Sequence, residues 1–202
     1  MFYTFILDLF INLLSLIIIY PMKNNLSHTL LLSISLVFIS VLTRVLPHPS
    51  NVAPIAAVAL FSGSIFANRF LALCIPMLSL ILGDLILNYF MYGMGLNPFY
   101  SGFYVVYGCT ALVVLLGMLM KRNIKSSAVF VYSICGSVVF FLITNFSVWL
   151  GSSMYPQTIQ GLINCYTLAI PFFQNSVAGD LFFNCLFFGA YFLVGSRKAI
   201  TA

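Results

Sequence analysis

Apolar runs on the scale of a bilayer's thickness, broken by short polar, Gly-rich or Pro-rich stretches, fill nearly all of this chain. Six of them, at 28–46, 52–67, 70–91, 102–120, 128–150 and 174–195, are candidate spans. A span needs roughly 20 apolar residues, and fewer where neighbouring protein covers its ends. The pattern predicts an all-α fold, a polytopic membrane bundle of six transmembrane helices occupying residues 22–202. A seventh apolar stretch, 2–20, comes before it. That stretch carries Asp8 and lacks the basic n-region and small-residue cleavage site of a signal peptide. Residues 1–21 therefore read either as an extra N-terminal helix or as sequence ahead of a later start at Met22.

Composition points the same way. The 202 residues are 62% hydrophobic and only 5% charged, whereas a soluble domain carries about 25% charged residues to wet its surface. A soluble enzyme, a disulfide-stapled secreted module and a disordered tail are thereby excluded. The net charge of +5 does not indicate nucleic acid, because the basic residues stand singly or in small clusters between apolar runs. They orient the chain instead. With Lys121, Arg122 and Lys125 in the cytoplasm, Lys23, Arg69, Arg197 and Lys198 fall on the same side, leaving Arg44 alone at the outer face. The asymmetry predicts a cytoplasmic C-terminus. Five cysteines in no metal-like spacing read as small apolar fillers, and no metal or cofactor is implied.

Polar residues inside the runs are the sharpest chemical signal. Asp84 lies about 10 Å below the outer end of its run, and Asp180 about 9 Å below the same face, at the helical rise per residue. Asn145 and Trp149 occupy the outer third of the fifth run, and Arg44 closes the first. A charge in hydrocarbon costs about 2.5–3.5 kcal/mol even on insertion scales, so such groups pair or line a cavity. Both outcomes remain open for this set. Gly83-Asp84-Leu85-Ile86-Leu87-Asn88 and Gly179-Asp180-Leu181-Phe182-Phe183-Asn184 share a pattern that puts each Asp and Asn on one helix face. Both Asp lie near the outside, so the likeness is local rather than an inverted repeat. The outer connections at 46–51, 92–100 and 151–170 are rich in Gly, Pro, Asn and Tyr, and place His48 and Asn51 beside the polar set.

The second run carries a stripe of small residues, Ala53, Ala56, Ala57, Gly63 and Ala67. Small stripes let helix backbones approach closely in lipid. Packing within the chain and docking of a second membrane subunit through Ala53, Ala57, Gly63 and Ala67 are both consistent with it.

Two stretches carry a resemblance. Arg44-Val45-Leu46-Pro47-His48-Pro49-Ser50-Asn51 leads into the Ala-rich run ending at Gly63. The second runs from Phe140 through Thr144-Asn145, Trp149, Met154-Tyr155-Pro156, Gly161-Leu162, Cys165-Tyr166 and Ile170-Pro171-Phe172-Phe173 to Gly179-Asp180. Together they resemble, over 28–195, an uncharacterised family of bacterial integral membrane proteins catalogued as transport proteins without an established substrate. The Pro- and Asn-containing lead-in, the Ala/Gly-rich helix, the basic turn and the following helix with its Asp are also similar to the S-components of energy-coupling-factor vitamin transporters. That likeness implies a bacterial inner-membrane protein that binds a small, vitamin-like substrate near the outer face and docks an energising subunit.

The leading reading is thus a substrate-binding transport protein, with Arg44, His48, Asn51, Asp84, Asn145, Trp149 and Asp180 as the candidate binding residues. The chain has no phosphate-cradling GxxxxGK[ST] loop, so any ATP use is supplied in trans. An intramembrane aspartyl hydrolase using Asp84 and Asp180 is the alternative from another class. Ile81 and Val177 stand where the Gly-x-Gly-Asp signature of such enzymes needs its first Gly. A scaffold in which the Arg and Asp residues only hold helices together is the third reading.

Overall fold

Large apolar side chains point away from the protein along several helices: Phe70, Leu78 and Leu82, then Leu112, Leu115 and Leu119, then Phe130 and Val131. In water such a surface would drive aggregation, and a hydrocarbon solvent removes that penalty. The computed structural model describes residues 26–200 apart from His48, and side chains over 29–193 with the same exception. The stretch 1–21 lies outside the described residues. Among the described residues there are six α-helices and no strand, as the apolar pattern predicts: α1 (Leu26–Val45), α2 (Ile55–Ile65), α3 (Arg69–Phe90), α4 (Phe103–Met120), α5 (Ser126–Gly151) and α6 (Ile159–Ile200). Four of them, α3 to α6, are long and apolar enough to cross a membrane. Arg69 opens α3, Lys121 caps the end of α4 and Lys125 caps the start of α5, which gives the bundle one basic edge.

The helix α2 is the hub. Every residue from Ala57 to Ser64 is buried, and α2 contacts each of the other five helices. Its small residues permit this. A methyl group built on Gly63 would collide with the Val114 carbonyl and lie 3.1 Å from the Gly117 Cα. One built on Gly117 would collide with the Leu60 carbonyl and lie 3.1 Å from the Gly63 Cα. Ser62 donates to the Ala72 carbonyl at 2.8 Å and Ser64 to the Leu60 carbonyl at 2.6 Å, so their hydroxyls are satisfied without water. Phe61 meets Phe188 edge-on at 5.1 Å and Phe187 at 5.7 Å, tying α2 to α6.

The run 52–67 reads as a full span, but the helix it forms has 11 residues. At the helical rise that is about 16 Å, roughly half the hydrocarbon thickness. Pro54 sets the boundary. It offers no N–H, and it biases Ala53 before it toward extended backbone. The far end of α2 is fixed at the basic edge, where Lys121 Nζ donates to the Phe66 carbonyl at 2.7 Å. The start of α2 therefore lies about halfway up the bundle, and the connection 46–54 descends to meet it.

A second difference concerns 151–170, which reads as a loop. Only 152–158 is irregular, and α6 begins at Ile159 and runs for 42 residues. Pro171 removes one backbone hydrogen bond inside it. Contacts with α5 hold the helix across that point: Tyr166 Oη donates to the Leu142 carbonyl at 2.6 Å, and Phe141 packs on Phe173 at 4.6 Å and on Tyr166 at 5.4 Å. At the hairpin tip, Trp149 Nε1 donates to the Pro156 carbonyl at 3.0 Å and Gln157 Nε2 donates to the Trp149 carbonyl.

Candidate functional site

The polar residues separate into two groups. In the first, Arg44 Nη2 meets Asp84 Oδ1 at 2.6 Å, and Tyr107 Oη donates to Asp84 Oδ2 at 3.0 Å. Arg44 Nη1 also donates to the Leu80 carbonyl at 3.4 Å. Both carboxylate oxygens are thus occupied, and α1, α3 and α4 are fastened to one another. Gly83 makes the crossing possible, since a Cβ there would fall 3.1 Å from Arg44 Nη1. Tyr100, in the connection after α3, faces the same acid. Burial and then Asp84 push its hydroxyl above the usual range, with Arg44 acting in the opposite direction. The hydroxyl stays protonated.

The second group lines a cavity of about 410 Å³ between the α5–α6 hairpin and the start of α2. Ser137, Phe140, Phe141, Thr144 and Asn145 come from α5, and Ala169, Phe172, Phe173, Ser176 and Asp180 from α6. Each set recurs at three- and four-residue spacing, so each helix offers one continuous stripe. Asn51, Ala53, Ile55 and Ala56 contribute the descending connection and the first turn of α2, and Arg44, Leu80 and Val106 close the other side. The connection is held in place from α6. Asn175 Nδ2 donates to the Ser50 carbonyl at 3.1 Å, and a Cβ on Gly179 would fall 3.2 Å from the Val52 Cα. Asn51 takes a left-handed backbone (φ 64°), which Asn tolerates better than most residues. Asp180 follows Gly179 directly and sits a little over one helical turn along α6 from the Asn175 contact with Ser50.

Asp180 is 6% exposed. Its Oδ2 accepts from Ser137 Oγ at 2.6 Å. Among the described residues its other oxygen has no hydrogen-bond donor, and the carboxyl has no basic partner. Ser137 Oγ also lies 3.1 Å from the Ser133 carbonyl. The hydroxyl can donate to an ionised Asp180, or accept from a protonated one while donating to Ser133.

Of the residues singled out from the sequence, Arg44, Asn51, Asn145, Asp180 and Ala53 line this cavity. Asp84 lies behind Arg44, and Trp149 stands at the hairpin tip, away from the lining. His48 lies outside the described residues. Asn145 is half-buried, its Nδ2 donating to the Phe141 carbonyl at 2.8 Å. Ala57 and Gly63 pack inside the bundle, because α2 is enclosed on every side; they offer no face to a second subunit. Ala67 is exposed at the basic edge. Asp84 and Asp180 make no hydrogen bond to each other and form no proton-sharing dyad.

Sequence reasoning missed Ser137, Tyr107, Thr144, Ser176 and the Phe walls. Hydroxyls in apolar helices commonly bond the carbonyl four residues back, as Thr144 and Ser176 do here, so a Ser or Thr by itself carries little signal. The four-residue step from Ser176 to Asp180 is the cue that was legible.

Residues 23–201 match a family of unknown function, DUF6580. No curated protein and no solved structure matches the chain.

Proposed function

The chain belongs to the DUF6580 family, and we propose that it is a substrate-binding transport protein that captures a small molecule in the cavity between α2 and the α5–α6 hairpin. The observation that carries this reading is Asp180, a buried carboxyl in the wall of that cavity with one oxygen that has no partner among the described residues. A carboxyl at this depth is costly, and a purely structural one would have both oxygens engaged, as Asp84 has. The volume falls within the roughly 300–1,000 Å³ of small-molecule pockets, and Phe walls with a few placed polar groups are their usual chemistry. In this reading Arg44, Asn51, Asn145 and Asp180 meet the ligand, and Asp84 acts through Arg44.

The basic edge is taken as cytoplasmic, which turns the cavity toward the outer face of the cell membrane. An energising partner would supply any work of transport, since the helices hold no phosphate-cradling loop. A scaffold-only reading accounts for the Arg44–Asp84–Tyr107 cluster but not for Asp180.

Native purification in mild detergent, followed by denaturation and mass spectrometry of the released small molecules, tests the reading. A compound present in the wild type and depleted in Asp180→Asn and Ala169→Trp supports it. Equal content in all three proteins contradicts it.

A further inference from the structure

Two features of the cavity favour opposite ligand charges, and their magnitudes decide between them. On one side stand Arg44 and the first turn of α2, whose Pro54 cap makes no side-chain hydrogen bond. On the other stands Asp180. Arg44 is already matched by Asp84 at 2.6 Å, so that pair contributes no net charge. The start of a helix contributes about half an elementary charge at most, and only near its first turn. Asp180 brings a full charge when ionised and has no basic partner among the described residues. With Asp180 ionised, the balance on the cavity wall is negative.

The apolar lining agrees. Phe140, Phe141, Phe172 and Phe173 surround the same space. Aromatic faces carry negative potential and attract cations, more strongly where water is excluded. They also suit an apolar body of modest size.

Building on the proposed substrate-binding role, we infer that the ligand is a small organic cation whose ammonium group pairs with the free oxygen of Asp180 while its apolar body lies against the Phe walls. Ser137 then positions Asp180 by holding its second oxygen, and Arg44 lines the opposite side without meeting a ligand anion, because Asp84 retains it.

Three matched probes test the charge: 3-phenylpropylamine, 3-phenylpropan-1-ol and 3-phenylpropanoate. They share a ring and a three-carbon chain and end in a positive, neutral or negative group. Thermal unfolding of the full chain in detergent at neutral pH is followed as each probe is titrated. The amine is expected to raise the melting temperature most. In Asp180→Asn its midpoint concentration should rise at least tenfold, toward that of the alcohol. A larger effect of the acid, or an amine effect unchanged in Asp180→Asn, overturns the inference. Equal stabilisation by all three probes overturns the cation assignment and leaves the binding reading standing. No response to any probe, together with no retained compound, removes both.

A second measurement needs only the wild type, should Asp180→Asn fail to fold. A carbodiimide takes up the water lost when the bound amine and a carboxyl join as an amide. Peptide mass spectrometry should find that amide at Asp180 and not at Asp84, whose oxygens are both engaged. An adduct at Asp84, or none at Asp180, overturns the assignment.

Discussion

Ser137 of α5 and Asp180 of α6 meet through a 2.6 Å hydrogen bond at the edge of a cavity. The other acid of the bundle interior, Asp84, is enclosed by Arg44 and Tyr107. The two acids share a local sequence pattern, yet one completes a lock and the other is left half satisfied. The difference suggests opposite responses to the same substitution.

Asp84→Asn leaves the part-buried Arg44 beside a neutral amide. Breaking one side of a buried pair costs about 3–5 kcal/mol, so a pronounced fall in melting temperature is expected. Replacing both partners, as in Arg44→Met with Asp84→Leu, should be less damaging than Asp84→Asn alone. Unfolding curves of the single and double variants check this. A double variant less stable than Asp84→Asn would contradict it.

Asp180→Asn keeps nearly the same volume, and the amide oxygen can still accept from Ser137. Little change in melting temperature is expected, with a marked loss of retained small molecule. Thermal unfolding and mass spectrometry on one preparation read both quantities. A large loss of stability with retention intact would make Asp180 a structural residue.

Gly63→Ala should destabilise by about 1–3 kcal/mol, the usual range for forcing an extra carbon into a packed interior. Gly108→Ala serves as the control. A Cβ there meets nothing within 4 Å, and Ala favours a helix over Gly by about 1 kcal/mol. Equal effects of the two substitutions would show that the α2–α4 crossing can relax.

Topology is open to direct labelling. With the basic edge cytoplasmic, Lys125→Cys should react only with reagent supplied from the cytoplasm and Asn97→Cys only with reagent supplied from outside. The reverse pattern would invert the orientation and place the cavity toward the cell interior.

The sequence was most informative where chemistry was expensive. The spans α3, α4 and α5 follow from apolar length, and the cost of charge in hydrocarbon marks Arg44 and Asp84 as groups that pair or line a cavity, the structure deciding for the pair. Two features were less legible because tertiary contacts decide them. The first turns of α6 contain Gln160, Gly161, Asn164 and Pro171, which lower hydropathy and imitate a loop. They are helical because Phe141 and Leu142 of α5 provide partners for Phe173 and Tyr166. Likewise the Ala/Gly stripe announces a close crossing without naming the partner, which proves to be Gly117 of the same chain. Trp149 drew notice by its place in the outer third of the fifth run, yet its indole N–H secures the hairpin tip.

The shortness of α2 bears on how the protein is built during synthesis. Eleven residues do not satisfy the apolar length by which a nascent segment leaves the insertion machinery for lipid. The helix α2 also has no place to settle until α4 brings Gly117 to receive Gly63. The neighbouring segments α1 and α3 are therefore expected to enter the bilayer first, with the central element waiting for residues translated more than fifty positions later. A nascent chain arrested before Gly117 should carry 46–68 in a protease-accessible state, and one extended through α4 should protect it. The hub of the finished bundle is then expected to be among the last parts of its first half to arrive.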